Sequence, residues 1–319
     1  MGPHPMRAPP RRPFRFSSPI SGAVDRTTLV ERSKQLEDLG YSTATIADHF
    51  NEQLAPFSAL MAIAESTTTL HIAPFVLCND YRHPVIVAKE TATLDLLSEG
   101  RLEVGFGAGW METDYEKSGM SFDPPSVRVA RMEESLAIVR SLWRDEEVDF
   151  KGEHYQIDGL RGTPRPVQDP GPRIIIGGGG RRVLEVAARE ADIIGFNPRM
   201  HAGRIDERAG PSATPAATDQ KLGWIHDAAA DRWDDLELQV RLELAILTDD
   251  PDPLYEELSG PFGLTPDEAR GTPHAIAGPI PSMVEQLIER RERWGLSYIG
   301  IPYDSALEFA PLVSALAGT

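Results

Sequence analysis

Short apolar or alternating segments recur along the chain, and between them apolar residues fall every three or four positions. The first pattern predicts β-strands and the second predicts amphipathic helices. The predicted strands lie at 14–17, 43–47, 71–77, 102–107, 173–176, 192–196, within 236–247, and at 297–301. About eight strands that alternate with helices are what a closed parallel barrel requires, so the expected fold class is α/β, a (β/α)8 TIM barrel with insertion segments.

Residues that start or stop helices indicate the helix boundaries. Gly40 and Gly295 follow predicted helix ends, and Ser282 with Glu285 has the spacing of a capping box. Residues 148–158 are typical of a small hairpin inserted between two elements. The predicted helices are 25–39, 57–66, 84–97, 126–143, 181–190, 221–232, 251–270 with a break at Gly260-Pro261, 282–294 and 305–317.

Two segments lack this periodicity. Residues 1–13 are rich in Pro and Arg, and residues 200–220 are rich in Gly, Pro, Ala and Thr. A loop of the second length inside a compact domain is usually a functional lid or a disordered segment. The expected organisation is therefore a flexible tail at 1–13 and one barrel domain at 14–319, with a lid at 200–220.

Composition narrows the class of protein. The chain has 319 residues with 49 Asp and Glu against 32 Lys and Arg, a formal charge of −17. This charge argues against binding to nucleic acid or to an anionic membrane. Cys78 is the single cysteine, which excludes an intrachain disulfide, and no apolar run reaches the roughly 18 residues of a membrane span. We expect a cytoplasmic protein with neither nucleic acid nor membrane as a partner.

A run of four glycines, Gly177 to Gly180, follows an apolar strand and precedes Arg181 and Arg182 at the start of a helix. Backbone amides at such a helix start can approach a phosphate, and the helix dipole favours the anion. A simple flexible turn is the alternative interpretation. The spacing is not that of a dinucleotide-binding Rossmann fingerprint.

Asp48 and His49 follow the second predicted strand, at the end of the barrel where active sites are built. His49 could donate or accept a proton near neutral pH, and Asp48 could tune it or contact a ligand. A helix cap by Asp48 beside a solvated His49 is the alternative. No HExxH or CxxC spacing is present, so no metal site is expected.

The glycines Gly105, Gly107 and Gly109 follow the fourth strand, where small residues would let a planar ring approach the backbone and Trp110 could close the pocket. Close packing of the strand against a helix, with Trp110 in the core, is equally compatible with the pattern. Cys78 has apolar neighbours and is expected to be an inert core residue rather than a nucleophile.

In their order along the chain, several motifs resemble the luciferase-like monooxygenase superfamily, and within it the branch that depends on coenzyme F420, of the actinobacterial type. The stretch from Thr93 to Leu102, Thr-Leu-Asp-Leu-Leu-Ser-Glu-Gly-Arg-Leu, is the most specific. The others are Ile46 to His49, Tyr81 to Pro84, Val104 to Trp110, Tyr115-Glu116 with Gly119, Pro164 to Gln168 and the Gly177 to Gly180 run.

This resemblance implies a (β/α)8 barrel, commonly dimeric, whose deazaflavin ring lies over the third strand at a non-prolyl cis peptide, here near Phe75-Val76. It implies that Asp48 and His49 are catalytic and that Phe50 and Trp110 line the substrate pocket. The residues expected to bind the cofactor are Phe75, Val76, Asn79, Gly107, Ala108, Gly177, Gly178, Gly179 and Arg181. One departure matters: sugar-phosphate dehydrogenases of this branch carry a catalytic glutamate where this chain has Trp110.

The function expected from this resemblance is hydride transfer between F420 and a small organic substrate that the sequence does not identify. One alternative is an FMN-dependent monooxygenase that uses oxygen, and another is a catalytically silent flavin-binding barrel. The expected partners are the organic substrate, a flavin or F420 reductase, and a second copy of the chain in a homodimer.

Overall fold

A computed structural model describes residues 8–145, 147–200, 203, 208–259 and 263–319. Thirteen strands are found in this part of the chain, and all eight segments predicted as strands contain one or two of them. They are β1 (Arg15–Pro19), β2 (Thr43–Ile46), β3 (His71–Pro74), β4 (Leu77–Cys78), β5 (Glu103–Gly107), β6 (Val148–Lys151), β7 (Gln156–Leu160), β8 (Arg173–Gly178), β9 (Ile193–Phe196), β10 (Glu237–Arg241), β11 (Leu244–Leu247), β12 (Ala275–Gly278) and β13 (Leu296–Gly300).

Twelve α-helices lie in the same described residues. They are α1 (Arg26–Asp38), α2 (Pro56–Ser66), α3 (Pro84–Leu97), α4 (Glu112–Ser118), α5 (Pro125–Arg144), α6 (Arg181–Glu190), α7 (Pro215–Ala229), α8 (Asp252–Ser259), α9 (Pro266–Gly271), α10 (Ile280–Trp294), α11 (Tyr303–Ala306) and α12 (Ala310–Leu316). None of these helices combines the length and the apolar character needed to cross a membrane.

The described residues divide into two compact units. Unit 2 consists of residues 19–38 and 42–176. Its strands β2 and β3 pair in parallel, as do β8 with β5 and β5 with β4, while β6 and β7 form the antiparallel hairpin that the sequence predicts. Helices α3 and α5 pack together, and the Trp143 indole donates to the Ala88 carbonyl at 3.2 Å.

Unit 1 comprises residues 8–18, 39–41 and the described part of 177–319. Strands β1, β13, β10 and β9 pair in that order and in parallel, and β11 pairs with β12. Each of β9, β12 and β13 is buried along its whole length, which explains why these strands are almost wholly apolar in sequence.

The most specific family motif has a structural role in unit 2. Asp95 is fully buried in α3, and its carboxylate accepts hydrogen bonds from the backbone amides of Val167 and Gln168 at 2.7 and 3.0 Å. The Gln168 side chain also donates to Asp95 at 2.6 Å. Arg101 donates to the carbonyls of Ala64, Leu70 and Ser98. The motif therefore joins α3 to three other segments of its unit.

Two sequence predictions about helix starts are wrong. Helix α7 begins at Pro215, so residues 215–220 are helical rather than loop, because Thr214 caps the helix through the Ala217 amide at 3.1 Å. Helix α10 begins at Ile280 after Pro279, so Ser282 lies inside it and does not form a capping box. Of the predicted lid, residues 201–202 and 204–207 lie outside the described residues, as do Gly260 and Pro261.

Two elements have no counterpart in the sequence prediction. Strand β12 is only four residues long and lies in a stretch rich in Pro and Gly, and α4 follows the glycines after β5. The helix predicted at 251–270 corresponds to two helices, α8 and α9. Of these, α4 matters most, because it supplies a residue of the candidate site.

Candidate active site

His49 forms a close pair with Asp114 in unit 2. The Nδ1 atom of His49 lies 2.7 Å from Oδ2 of Asp114, which is 4% exposed in the first turn of α4. The Tyr81 hydroxyl donates to the same carboxylate oxygen at 3.2 Å. Residues from the ends of β2, β4 and β5 are thereby joined, which is where parallel α/β folds place their sites.

The pairing sets which nitrogen of His49 faces outward. A carboxylate only accepts hydrogen bonds, so Nδ1 carries a proton and its N–H group donates a hydrogen bond to Asp114. The Nε2 atom is then the acceptor that a ligand hydroxyl can meet. The Trp110 ring contacts the His49 ring edge-on, with 5.8 Å between centroids.

Asp48 does not contact this pair through its carboxylate. It is 5% exposed and receives both guanidinium nitrogens of Arg82, at 2.6 and 2.9 Å, together with the Cys78 amide at 3.0 Å. A bidentate pair of this kind is geometrically specific. Asp48 therefore anchors the segment after β4, and the acidic partner of His49 is Asp114 of α4.

A second network lies beside the first. The Tyr115 hydroxyl donates to Asp80 at 2.9 Å and lies 3.2 Å from the Cys78 sulfur, and Arg131 donates to Asp80 at 2.8 Å. Burial raises the pKa of the Cys78 thiol to about 11, and burial also raises the pKa of Tyr81 and Tyr115. The thiol is therefore neutral near neutral pH, in keeping with an inert cysteine.

The peptide bond between Phe75 and Val76 is cis, at the position that the sequence resemblance implied. This bond separates β3 from β4, so the segment predicted as one strand is two. The Val76 side chain occupies the space where a Cβ on Gly105 or Gly107 would lie, since added atoms there would be 2.7 Å from its methyl groups. The absence of a side chain at Gly105 and Gly107 thus leaves room for the Val76 side chain.

The remaining predicted residues of this part lie at the same strand ends. The Phe50 ring packs at a tilt of 30° against Tyr81, with 4.4 Å between centroids, and Phe50 is still 51% exposed. Asn79 is 5% exposed, and its amide is 3.5 Å from the Tyr155 hydroxyl on the hairpin. The Ala108 carbonyl accepts from Arg128 at 3.1 Å.

The glycine run forms a separate cradle in unit 1. A Cβ on Gly179 would lie 2.5 Å or less from the carbonyl oxygens of Asn197 and Pro198, whereas one on Gly180 would meet nothing within 4 Å. The buried Lys221 ammonium donates to the same Asn197 carbonyl at 2.7 Å, and burial lowers the pKa of Lys221 to about 8. Lys221 thus holds the carbonyl against which Gly179 packs.

Helix α6 begins directly after this run. Its N-cap, Gly180, offers no side chain to the first amides, and Gly177 and Gly178 are the last residues of β8. A Cβ on Gly178 would lie 2.4 Å from a methyl group of Val183, so glycine is required for close packing. The Arg181 side chain is 68% exposed and pairs with Glu185 at 2.7 Å.

Sequence reasoning missed Asp114, Tyr81 and Tyr115 as site residues. Helix α4 has only seven residues, too few for a hydrophobic period to be visible. The acidic residues Glu112 and Asp114, which follow a glycine-rich strand end, were the available signal. Among the residues that the structure describes, no group of three His, Cys, Asp or Glu side chains could hold a metal ion.

Comparisons with known proteins agree with these features. A family model described as luciferase-like monooxygenase matches residues 12–215. An F420-dependent glucose-6-phosphate dehydrogenase of Mycobacterium avium (strain 104) is 31% identical over 271 residues, which cover 79% of this chain and 74% of that protein. Another, from Amycolatopsis mediterranei (strain U-32), is 33% identical over 172 residues, which cover 51% of this chain and 51% of that protein.

Among solved structures, a coenzyme F420-dependent tetrahydromethanopterin reductase from Methanopyrus kandleri is similar over 96% of this chain and 99% of its own, with a TM-score of 0.75 and 18% identity. At this level of identity the likeness concerns the fold. Together with the parallel strands and alternating helices, it confirms the predicted α/β class, the (β/α)8 barrel.

Proposed function

The chain belongs to the luciferase-like monooxygenase family, and we propose that it is an F420-dependent oxidoreductase that transfers a hydride between the deazaflavin and a small organic substrate. The curated relatives named as F420-dependent dehydrogenases support the cofactor. The observation that carries the proposal is the His49–Asp114 pair, a proton-transferring group at the carboxyl ends of the strands.

The glycine cradle in unit 1 fits a phosphate of the cofactor. Gly180 leaves open space where a side chain would lie, and the first amides of α6 have no side-chain cap. These amides and the helix dipole are the donor set that a phosphate prefers. Gly177, Gly178, Gly179 and Arg181 would hold the phosphate, while Phe75, Val76, Asn79, Gly107 and Ala108 would lie near the ring.

When bound, F420 supplies a carbon centre that accepts or releases a hydride and reacts poorly with oxygen. The protein supplies the proton transfer. His49, whose Nδ1–H group donates a hydrogen bond to Asp114, accepts a substrate hydroxyl proton at Nε2, or returns it to a carbonyl oxygen in the reverse direction. Asp114 stabilises the ring once it is charged, and Trp110 keeps it oriented.

Two titrations test the cofactor. The purified protein is titrated with F420 and with FMN while the fluorescence of each is followed. Tight F420 and weak FMN binding is the expected result. The reverse result would move the chain to the FMN-dependent monooxygenases, and oxygen consumption with a reductase would then be measured.

A variant tests the role of His49. We expect His49→Ala to lower kcat by about a hundredfold or more while the Kd for F420 changes little, because general acid–base groups contribute on that order. His226→Ala is a matched control, since His226 lies 3.4 Å from an aspartate, Asp227, but in unit 1. An equal loss of F420 affinity and turnover in His49→Ala would make His49 a binding residue instead.

The same family membership supports three further proposals. The chain forms a homodimer, it acts in the cytoplasm, and a flavin or F420 reductase renews its cofactor. We also propose that residues 14–319 form one barrel domain, with a lid in the part of 200–220 that precedes α7, which begins at Pro215. Light scattering tests the dimer, and limited proteolysis with and without F420 tests the lid, where protection by F420 is the expected result.

A further inference from the structure

We propose that the substrate beside His49 is uncharged and carries an apolar ring, and that Phe50 selects it. This proposal rests on the proposed F420-dependent function and concerns the substrate class of the same site. It follows from the charges and the aromatic side chains that surround His49 in unit 2, each of which the structure places.

The arginines near His49 are engaged by other partners. Arg82 gives both nitrogens to Asp48, and Arg131 bridges Asp80 and Asp123. A third, Arg128, donates to the carbonyls of Ala108, Gly109 and Asp123.

The charged partner of His49 itself is an acid. The Asp114 carboxylate is hydrogen-bonded by His49 and Tyr81, neither of which is an arginine or a lysine. A substrate phosphate or carboxylate next to His49 would therefore meet the Asp114 carboxylate, while Arg82, Arg128 and Arg131, among the described residues, are already engaged. At a separation of about 6 Å the repulsion between two such charges weakens binding on the order of tenfold or more.

Apolar surface is offered at the same place. Phe50 follows His49 directly, and its ring packs at a tilt against Tyr81, whose hydroxyl donates to the same Asp114 carboxylate as His49. Half of the Phe50 residue, 51%, nevertheless stays exposed, and the Trp110 ring contacts His49. An exposed aromatic residue beside a proton-transferring group gains most by burial against an apolar ligand. The geometry therefore favours a ring-bearing alcohol or ketone without a charge.

Three probes that differ in charge test the proposal on the F420-loaded protein. Cyclohexanone is neutral, 4-oxocyclohexane-1-carboxylate is the same ring with one negative charge, and glucose-6-phosphate carries a phosphate. Binding is followed by NMR through the ring resonances of His49, assigned with His49→Gln. We expect cyclohexanone to bind at least about tenfold more tightly than either anion.

Variants of Phe50 identify the selecting residue. Phe50→Ala is expected to weaken cyclohexanone binding about tenfold. Leu97→Ala, which removes a side chain of similar exposure, 54%, from the end of α3, is expected to leave it unchanged. Phe50→Arg supplies a cation and is expected to bring the carboxylate to equal or tighter binding than the ketone.

Three results would overturn the proposal. They are an anion that binds the parent protein as tightly as cyclohexanone, no detectable cyclohexanone binding, and cyclohexanone affinity that does not change in Phe50→Ala. Failure of the proposed function is distinguishable, because it would appear earlier, as weak F420 binding in the fluorescence titration. A protein that binds F420 tightly but prefers glucose-6-phosphate would refute only the substrate class.

Discussion

Removing the carboxylate of Asp114 is the sharpest test of how this site handles protons. Asp114 is 4% exposed, and its Oδ2 lies 2.7 Å from Nδ1 of His49. In Asp114→Asn the side chain keeps its shape and one acceptor but loses its charge. In Asp114→Ala the acceptor is lost as well, so both nitrogens of His49 become free to carry the proton.

The expected loss can be sized from this one contact. A hydrogen bond to a charged group contributes about 1.5–3 kcal/mol, and each 1.4 kcal/mol corresponds to about a tenfold change. We therefore expect kcat to fall by about 10- to 100-fold in Asp114→Ala and by less in Asp114→Asn. The Kd for F420 is expected to stay within about twofold, because the hydrogen bonds of Asp114 are to His49 and Tyr81 rather than to the residues proposed to bind the cofactor.

The assay combines kinetics with a spectroscopic readout of the ring. The ¹⁵N shifts of labelled His49 distinguish a proton on Nδ1 from a proton on Nε2. The parent protein is expected to show the Nδ1–H form, and Asp114→Ala is expected to shift toward Nε2–H. Tyr81→Phe is the matched control, since it removes only the second donor to the same oxygen. An unchanged tautomer together with unchanged kcat in Asp114→Ala would refute the reasoning.

Three further predictions concern stability in unit 2 and are measured by urea unfolding. Burial opposes ionisation of Glu37, but hydrogen bonds from the backbone amides at 68–70 lower its pKa to about 2. Glu37→Gln should therefore lower the free energy of unfolding by about 1 kcal/mol near pH 7. This difference is expected to be fully present above pH 4.5 and to disappear as the pH falls through about 2. Gly109→Ala should cost more than Gly119→Ala although both have positive φ, because only at Gly109 would the new Cβ meet Tyr115, at 1.9 Å; equal losses would contradict this. Asp95→Ala should cost about 2–3 kcal/mol, since two backbone amides lose their buried acceptor, and a loss under about 0.5 kcal/mol would contradict it.

The strands and most helices could be predicted because burial leaves a clear period in the sequence. Helix α3 was predicted with its observed bounds, since Pro84 starts it and the apolar positions repeat over 14 residues. All four boundaries of the first two helices were predicted to within one residue for the same reason. The start of helix α7 was misplaced because a Thr cap followed by Pro is a short signal, and here it lies within a stretch rich in Gly, Pro, Ala and Thr.

The site was harder to predict because its contacts join residues distant in sequence. His49 could be identified from its place after β2, but its partner is 65 positions away on a helix of seven residues. Asp48 adjoins His49 in sequence, and this adjacency suggested that the two side chains act together. In the structure Asp48 pairs with Arg82, and His49 pairs with Asp114. The sequence after one strand does not reveal which neighbouring strand end supplies the carboxylate that pairs with His49.

The features that identify the family are separate from those that select the substrate. The most specific motif acts through Asp95 and Arg101, which join segments of unit 2 and touch neither His49 nor its partners. Such a motif can persist in any member whose barrel folds, whatever the member acts on. We propose that selection of the substrate lies instead with Phe50 and Trp110, at strand ends where side chains can change without loss of the fold. The sugar-phosphate activity in the names of the curated relatives therefore does not follow for this chain from shared fold and cofactor, and the surroundings of His49 favour an uncharged substrate.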